Sequence, residues 1–113
     1  MSDPTANLER AISAVYEREQ AFGEALQADA DAEYEYEIAY ATALLSADGA
    51  NADTRKAQAV LASQDAFKKH LHAKATKKFC DVKLTDAQNA QTARQSLLSR
   101  DTRTQFGSMG RGA

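Results

Sequence analysis

The stretch YEYEIAYATALLSADGANADTRKA, residues 34–57, determines the fold, because a turn containing glycine separates two segments with helical patterns. Gly49 is predicted to end the first helix in a left-handed conformation. Asn51 or Asp53 is predicted to cap the helix that follows. A connection this short makes consecutive helices fold back on each other. The stretch therefore predicts an antiparallel helical hairpin.

The segment before the turn has one long helical pattern, predicted over residues 4–47. Asp3 is a predicted N-cap and Pro4 suits the first helical position. Apolar residues then recur at spacings of four, three, seven and four, at Leu8, Ile12, Val15, Phe22 and Leu26. The stripe continues in a shifted phase through Ala30, Tyr34, Ile38, Ala41 and Leu45. The phase shift argues against a strict two-stranded zipper. Gly23 either weakens this helix or permits a close helix approach.

The segment after the turn is predicted to be helical from about residue 52, with its own stripe: Ala57, Val60, Gln64, Phe67, Leu71, Ala75, Phe79 and Val82. Thr85 and Gln88 have the spacing of a capping box, which would start a third C-terminal helix; alternatively the second helix simply continues. The end FGSMGRGA holds three of the five glycines and predicts a flexible tail. We therefore expect an all-α fold, an elongated antiparallel helical hairpin or coiled coil over 1–105, with a tail at 106–113.

The composition indicates that this hairpin has a thin core. Of 113 residues, 24 are Ala, whereas Leu, Ile, Val and Phe together number 18. A single copy would bury little area per residue, so we expect a homo-oligomer or a subunit of a larger complex. The residues expected to be buried in the hairpin or oligomer core are Leu8, Ile12, Val15, Phe22, Phe67, Leu71 and Phe79.

The charge reverses across the turn. Residues 1–50 have a net charge of −9 and residues 51–113 a net charge of +7. If the turn is centred near Ala50, residue i faces roughly residue 100 − i, and the acidic arm neutralises Lys68, Lys69 and Lys74. Such ion pairs add little stability, but they help to determine which helices pair and in which register.

A basic surface is expected to remain at the open end, where it suits phosphates or an acidic protein surface. The predicted nucleic-acid or partner-binding residues are Lys77, Lys78, Arg94, Arg100, Arg103 and Arg111, with Phe106 and Met109 as apolar anchors in a protein-docking segment.

Catalytic and metal chemistry finds no support in the sequence, and we expect a protein that is not an enzyme and has no cofactor. His70 and His72 are two residues apart on a helix and cannot share a metal, so both are expected at the surface near acids. Cys80 is expected in the helical seam. Asp29, Glu33 and Glu37 could hold a cation, but the Glu-x-x-His motif of diiron bundles is missing.

Three tyrosines, Tyr34, Tyr36 and Tyr40, could stack on bases, but their acidic neighbours favour packing at a helix–helix interface. A single cysteine, the lack of an 18-residue apolar window and a start without a signal-peptide pattern predict a soluble, cytoplasmic protein with no membrane partner and no small-molecule substrate.

The segment from Glu33 to Ala47, followed by Gly49 and by Arg55, Lys56 and Ala57, resembles small helical-hairpin accessory proteins of tailed bacteriophages. The resemblance covers about a quarter of the chain and rests on an acidic-aromatic arm, an A-x-G turn and an Arg-Lys-Ala helix start. It implies an accessory role beside recombination or replication machinery, through protein or DNA contacts, in the host cytoplasm. Alternatives are a structural virion component, such as a head–tail subunit, or an inhibitor of a host defence protein.

Overall fold

The computed structural model describes the backbone of residues 3–111 and the side chains of residues 3–100. Three helices follow one another: α1 (Pro4–Ser46), α2 (Ala52–Ala62) and α3 (Gln64–Arg111). Residues 3–111 contain no strand, which confirms the all-α prediction. The chain forms two compact units, Phe22–Cys80 and Met1–Ala21 with Asp81–Ala113. Within Phe22–Cys80, α1 meets α2 and α3 as an antiparallel hairpin, as predicted.

The helix starts follow the local signals in the sequence. The backbone N–H of Thr5 donates to Asp3 Oδ1 at 3.0 Å, which confirms Asp3 as the cap of α1. The N–H of Thr54 donates to Asn51 Oδ1 at 2.8 Å, so Asn51 rather than Asp53 caps α2. Each cap satisfies a backbone donor that has no partner within its own helix. α1 ends at Ser46, one residue before the predicted end.

The turn between α1 and α2 is held by side chains of α2. The N–H of Gly49 donates to Gln58 Oε1 at 3.0 Å, and Arg55 Nη1 donates to the carbonyl oxygen of Gly49 at 3.1 Å. No described glycine has a positive φ, so the predicted left-handed cap at Gly49 is wrong. Glycine is needed there for space: a Cβ atom would lie 2.7 Å from Thr54 Cγ2.

The helical segment that follows the turn, which is the second arm of the hairpin, is interrupted at Ser63 and not near Thr85. Ser63 is 2% exposed, and its Oγ donates to the carbonyl oxygen of Ala59 at 2.7 Å. A serine hydroxyl bonded to the carbonyl four residues earlier competes with the helix ladder and locally distorts it. α3 continues through Thr85, which is exposed, so the capping-box alternative is wrong.

A seam of small residues joins the two arms of the Phe22–Cys80 unit. The least exposed α1 residues recur with alternating spacings of three and four, at Phe22, Ala25, Asp29, Ala32, Tyr36, Ala39 and Ala43. The opposing arm repeats this spacing at Ala59, Ser63, Ala66, His70, Ala73, Lys77 and Cys80. These are the a and d positions of a seven-residue repeat, with alanine or cysteine at every d position. The expectation that no regular zipper forms is therefore wrong for this unit.

The other unit uses the same spacing with fewer buried residues. Val15 is 8% exposed, and Leu8 and Ala11 are half-buried on the same face of α1. On α3 the half-buried residues include Leu84, Ala87, Gln91 and Leu98.

Gly23 lies inside α1, where a Cβ atom would meet nothing within 4 Å. The alternative that it permits a close helix approach within the chain is wrong. The predicted domain boundary at residue 105 falls within α3, and the side chains of 106–113 lie outside the described residues.

Candidate interaction surface

A cluster of three polar side chains lies inside the seam of the Phe22–Cys80 unit. Asp29 is 8% exposed, and its Oδ2 accepts a hydrogen bond from Lys77 Nζ at 2.8 Å. Its Oδ1 lies 3.6 Å from His70 Nε2 and accepts no hydrogen bond from the described residues. All three residues occupy a positions, so the cluster exists only in the observed register of the two arms.

The hydrogen bond between Asp29 and Lys77 lowers the pKa of Asp29 and raises the pKa of Lys77. The hydrogen bond from Lys77 lowers the pKa of Asp29, and burial, which raises it, offsets this in part. The same hydrogen bond raises the pKa of Lys77, helped by the charges of Asp29 and Glu33. The two groups therefore stay ionised together across the neutral range.

An aromatic cluster lies on one side of this polar group. The ring of Tyr36 stacks on His70 with centroids 6.2 Å apart, and it packs at a tilt against Phe67 at 5.2 Å and Tyr40 at 6.4 Å. Tyr36 is half-buried against Phe67 and His70 of α3, which confirms its predicted packing between helices. Tyr40 is half-buried beside Tyr36 on the same helix, and the prediction is wrong for Tyr34, which is 66% exposed.

A groove of about 300 Å³ opens beside this cluster, at the junction of α2 and α3. Its lining consists of Tyr36, Val60, Leu61, Ser63, Gln64 and Phe67. Most of these side chains are apolar, and the buried Ser63 forms part of its wall. The local distortion at Ser63 thus coincides with an apolar depression on the surface.

The bulky apolar residues predicted as core are mostly at the surface of the single chain. Val15 is buried, and Leu8 and Phe22 are half-buried, but four others are strongly exposed: Ile12 at 47%, Phe67 at 42%, Leu71 at 48% and Phe79 at 59%. As residues of a hairpin core these four predictions are wrong, because alanines occupy the seam instead. Their burial in an oligomer stays a prediction.

Four exposed apolar side chains share one face of the hairpin. In an antiparallel pair the e positions of both helices flank the same side of the seam, with the b positions next to them. We call this side the groove face. It comprises one row on α1, Leu26, Ala30, Glu33, Glu37, Tyr40 and Leu44, and one row on α2 and α3, Val60, Gln64, Phe67, Leu71, Lys74 and Lys78. The contacts of Tyr36 with both Tyr40 and Phe67 place the two rows side by side.

The opposite side of the seam carries an exposed ion pair, Lys69 Nζ to Glu35 Oε2 at 2.7 Å. This confirms that Lys69 neutralises the acidic arm. The predicted rule, residue i facing roughly residue 100 − i, holds to within one residue for the contact of Asp29 with His70. The ion pairs of Glu35 with Lys69 and of Asp29 with Lys77 are offset from it by four and six residues. In the first turns of α2, Arg55 and Gln58 form hydrogen bonds to Gly49 of the loop. The first seam residue of α2 is Ala59.

The residues predicted to bind nucleic acid or a partner are dispersed. Lys77 lies in the seam with its Nζ engaged by Asp29, whereas Lys78 and Arg94 are exposed. Arg100 is also exposed, and the side chains of Arg103, Phe106, Met109 and Arg111 lie outside the described residues. Among side chains 3–100, the structure therefore brings no cluster of these cations together around one point.

Residues considered for metal binding have other roles. His70 is a seam residue with an 18% exposed side chain, contrary to the predicted surface position, whereas His72 is exposed. Cys80 is half-buried in the seam, as predicted. Among the described residues, no three histidine, cysteine or acidic side chains are arranged to hold a metal ion.

Sequence reasoning missed Asp29 as the centre of the seam cluster and the groove beside Ser63. The signal for the first was the seven-residue recurrence of Ala25, Ala32 and Ala39, which places Asp29 between two buried positions. The groove has no comparable signal, because it depends on how Ser63 distorts the arm.

Comparisons with protein families, curated proteins and solved structures gave no significant match to this chain. Within the described residues, no helix has both the length and the apolar character required to cross a bilayer.

Proposed function

We propose that this chain is a non-enzymatic helical interaction protein that docks another protein surface through the groove face. One observation carries the proposal: alanine or cysteine occupies every d position of the seam, while large apolar side chains are exposed beside an apolar groove. Leu26, Val60, Phe67 and Leu71 are 42–55% exposed on that face. Clustered exposed apolar groups next to a depression are typical of protein interaction sites.

Internal bonding of the basic arm favours a protein partner over direct DNA binding. Lys69, Lys77 and Arg55 each bind an oxygen of the hairpin itself. Among the described side chains, this leaves fewer cations for phosphates. Together with the resemblance to phage hairpin proteins, the +7 charge of residues 51–113 supports an accessory role beside nucleic-acid machinery, reached through a protein.

Photo-cross-linking tests the docking face. Benzoylphenylalanine is placed at position 67 of the full chain, within the cells that naturally make it, and at position 34 as a control that is exposed on an outward-facing side of α1. We expect protein adducts from position 67 in clear excess over position 34. Equal yields at the two positions, or no protein adduct from position 67, would refute the docking face.

A binding assay with single-stranded and duplex DNA tests the choice of partner. At about 50 mM salt, where phosphate contacts are strong, we expect no retention of DNA by the purified chain. Retention that disappears when Lys78 and Arg94 are changed to Gln would instead establish direct nucleic-acid binding.

A further inference from the structure

The groove face has an acidic side and a basic side. The row on α1 contains Glu33 and Glu37, the row on α2 and α3 contains Lys74 and Lys78, and all four side chains are exposed. Among side chains 3–100, none of these four takes part in an ion pair. A partner that covers the face therefore meets opposite charges along its two sides.

A contact across the seam shows which levels of the two rows correspond. Tyr36 lies between Glu33 and Glu37 along α1, and its ring packs against Phe67 with the centroids 5.2 Å apart. The two acids therefore lie at the level of Phe67 and Leu71. The lysines of the other row lie further from the turn, so acids and lysines occupy different levels of the face.

A second copy of the chain does not supply the charges that this face requires. A two-fold axis parallel to the helices keeps every level, so Glu33 and Glu37 of one copy would lie over Leu71 and Phe67 of the other. A two-fold axis across the helices would set α1 over α1, and residues 22–46 contain no lysine or arginine. Neither symmetric arrangement pairs opposite charges, so the charges favour a different protein as the partner.

We propose that the groove face binds one amphipathic helix of another protein, which has basic residues along one side of its apolar stripe and acidic residues along the other. This inference rests on the proposed function, for which it names the class of partner. An amphipathic helix commonly binds by laying its apolar stripe into an apolar groove. Here its basic side meets Glu33 and Glu37, and its acidic side meets Lys74 and Lys78, as the e and g residues of coiled coils do.

Exposed apolar side chains line the path of the bound helix. Val60, Phe67 and Leu71 are 55%, 42% and 48% exposed on one row, and Leu26 is 45% exposed on the other. The groove of about 300 Å³ beside Phe67 receives a large apolar side chain of the partner. Large side chains that fill such pockets supply most of the binding energy of an interface.

The length of the face sets the length of the partner helix. The row on α1 runs from residue 26 to residue 44, which is about 27 Å of helix, so a partner segment of about 18 residues covers it. One helix of this length covers less than the roughly 800 Å² per partner of a standard interface. We therefore expect a reversible complex with a dissociation constant in the micromolar range.

A designed peptide of about 18 residues is the probe. It has leucine along its apolar stripe, lysine along one side of the stripe and glutamate along the other. Two control peptides keep the leucines but have lysine on both sides or glutamate on both sides. Fluorescence anisotropy with the full chain should give at least about tenfold tighter binding of the first peptide than of either control. Equal affinities, or no binding of the first peptide at about 500 µM chain, would overturn the proposal.

Charge changes in the chain test which row meets which side of the helix. Lys74→Glu with Lys78→Glu makes both rows acidic, so the peptide with lysine on both sides should become the preferred one. Glu33→Lys with Glu37→Lys should shift the preference to the peptide with glutamate on both sides. Circular dichroism first confirms that each variant remains helical, and a helical variant that keeps the wild-type preference refutes the arrangement.

Two aromatic positions locate the bound peptide. Phe67→Ala should raise the dissociation constant of the first peptide about tenfold or more. Tyr34→Ala, which removes a 66% exposed ring outside the face, should leave it unchanged. Equal effects of the two changes would show that the peptide binds elsewhere, and would refute the proposal.

The cross-linking experiment extends the test to the natural partner and separates the two proposals. Mass spectrometry of the adducts from position 67 identifies the segment that covers the face. An amphipathic helical segment with one basic and one acidic side supports both proposals. Adducts between two copies of the chain, or with a segment that lacks this pattern, refute the helical partner but not the interaction function. Absence of protein adducts refutes the interaction function itself.

Discussion

Two glycines of this chain should respond to the same substitution with opposite signs. Gly23 lies in the interior of α1, its φ is not positive, and a Cβ atom would meet nothing within 4 Å. Gly23→Ala therefore adds no clash and removes backbone freedom from the unfolded chain. The expected gain in the free energy of unfolding is about 1 kcal/mol, the difference between alanine and glycine in an exposed helix interior.

Gly49→Ala meets atoms that cannot easily move. Its Cβ would lie 2.7 Å from Thr54 Cγ2 and 3.1 Å from the backbone nitrogen of Arg55. Relief requires the start of α2 to shift, which strains the bonds that Gln58 and Arg55 make to Gly49. Overpacking of this kind costs about 1–3 kcal/mol, so we expect a net loss even though alanine suits the φ angle.

Urea denaturation followed by circular dichroism at 222 nm measures both variants, at a protein concentration low enough to keep the chain monomeric. With a urea m-value of about 1–3 kcal/mol/M, a change of 1 kcal/mol moves the urea midpoint by about 0.3–1 M, well above measurement error. Destabilisation by Gly23→Ala would show that another helix approaches Gly23. A neutral Gly49→Ala would show that the turn tolerates a Cβ and that its glycine has no steric role.

The seam and the polar cluster give two further predictions. Ala59→Leu, at a residue that is 0% exposed, should destabilise the hairpin by about 1–3 kcal/mol in the same denaturation assay, whereas Ala57→Leu at an exposed position of α2 should change little; equal effects would contradict the alanine seam. Because the pKa of Asp29 is lowered, its contribution to stability is fully present above the ordinary pKa of 3.8 and is lost as pH falls through the lowered pKa. Because the pKa of Lys77 is raised, its contribution to stability is fully present below the ordinary pKa of 10.5 and is lost as pH rises through the raised pKa. Asp29→Asn should therefore reduce the acid-side fall of the denaturation midpoint, and an unchanged acid limb would refute the buried pair.

The bounds of α1, the start of α2 and both N-caps were predictable because their signals are local. Asp3, Asn51 and the short turn each act within a few residues of where they occur in the sequence. The failure at Gly49 has the same cause: a left-handed cap is the usual reason for glycine after a helix, but here the constraint comes from Thr54 and Arg55 on the next helix. Such a contact between elements is not visible in residue types alone.

The seam is hard to predict from the sequence because the bulky apolar residues do not mark the buried side of the helices. Ile12, Phe67, Leu71 and Phe79 have convincing helical spacing, yet they lie outside the seam. In a helix rich in alanine, alanines lie on every face, so the hydrophobicity of the faces differs little. The spacing of the seam alanines is therefore a weak signal when hydrophobicity alone is considered. Position in the seven-residue repeat was the more informative property.

The residues that determine how the two arms of the hairpin pair are not the large apolar residues. Alanines let the two arms pack closely but contribute little apolar area each, and Lys77 reaches Asp29 beside His70 only in one register. Such a seam selects an orientation more than it stabilises one. Large side chains that could supply stability, Phe67 and Leu71 among them, are exposed outside the seam instead. If the proposed partner covers the groove face, that contact adds apolar burial that the seam lacks, and folding is then linked to association through the same surface.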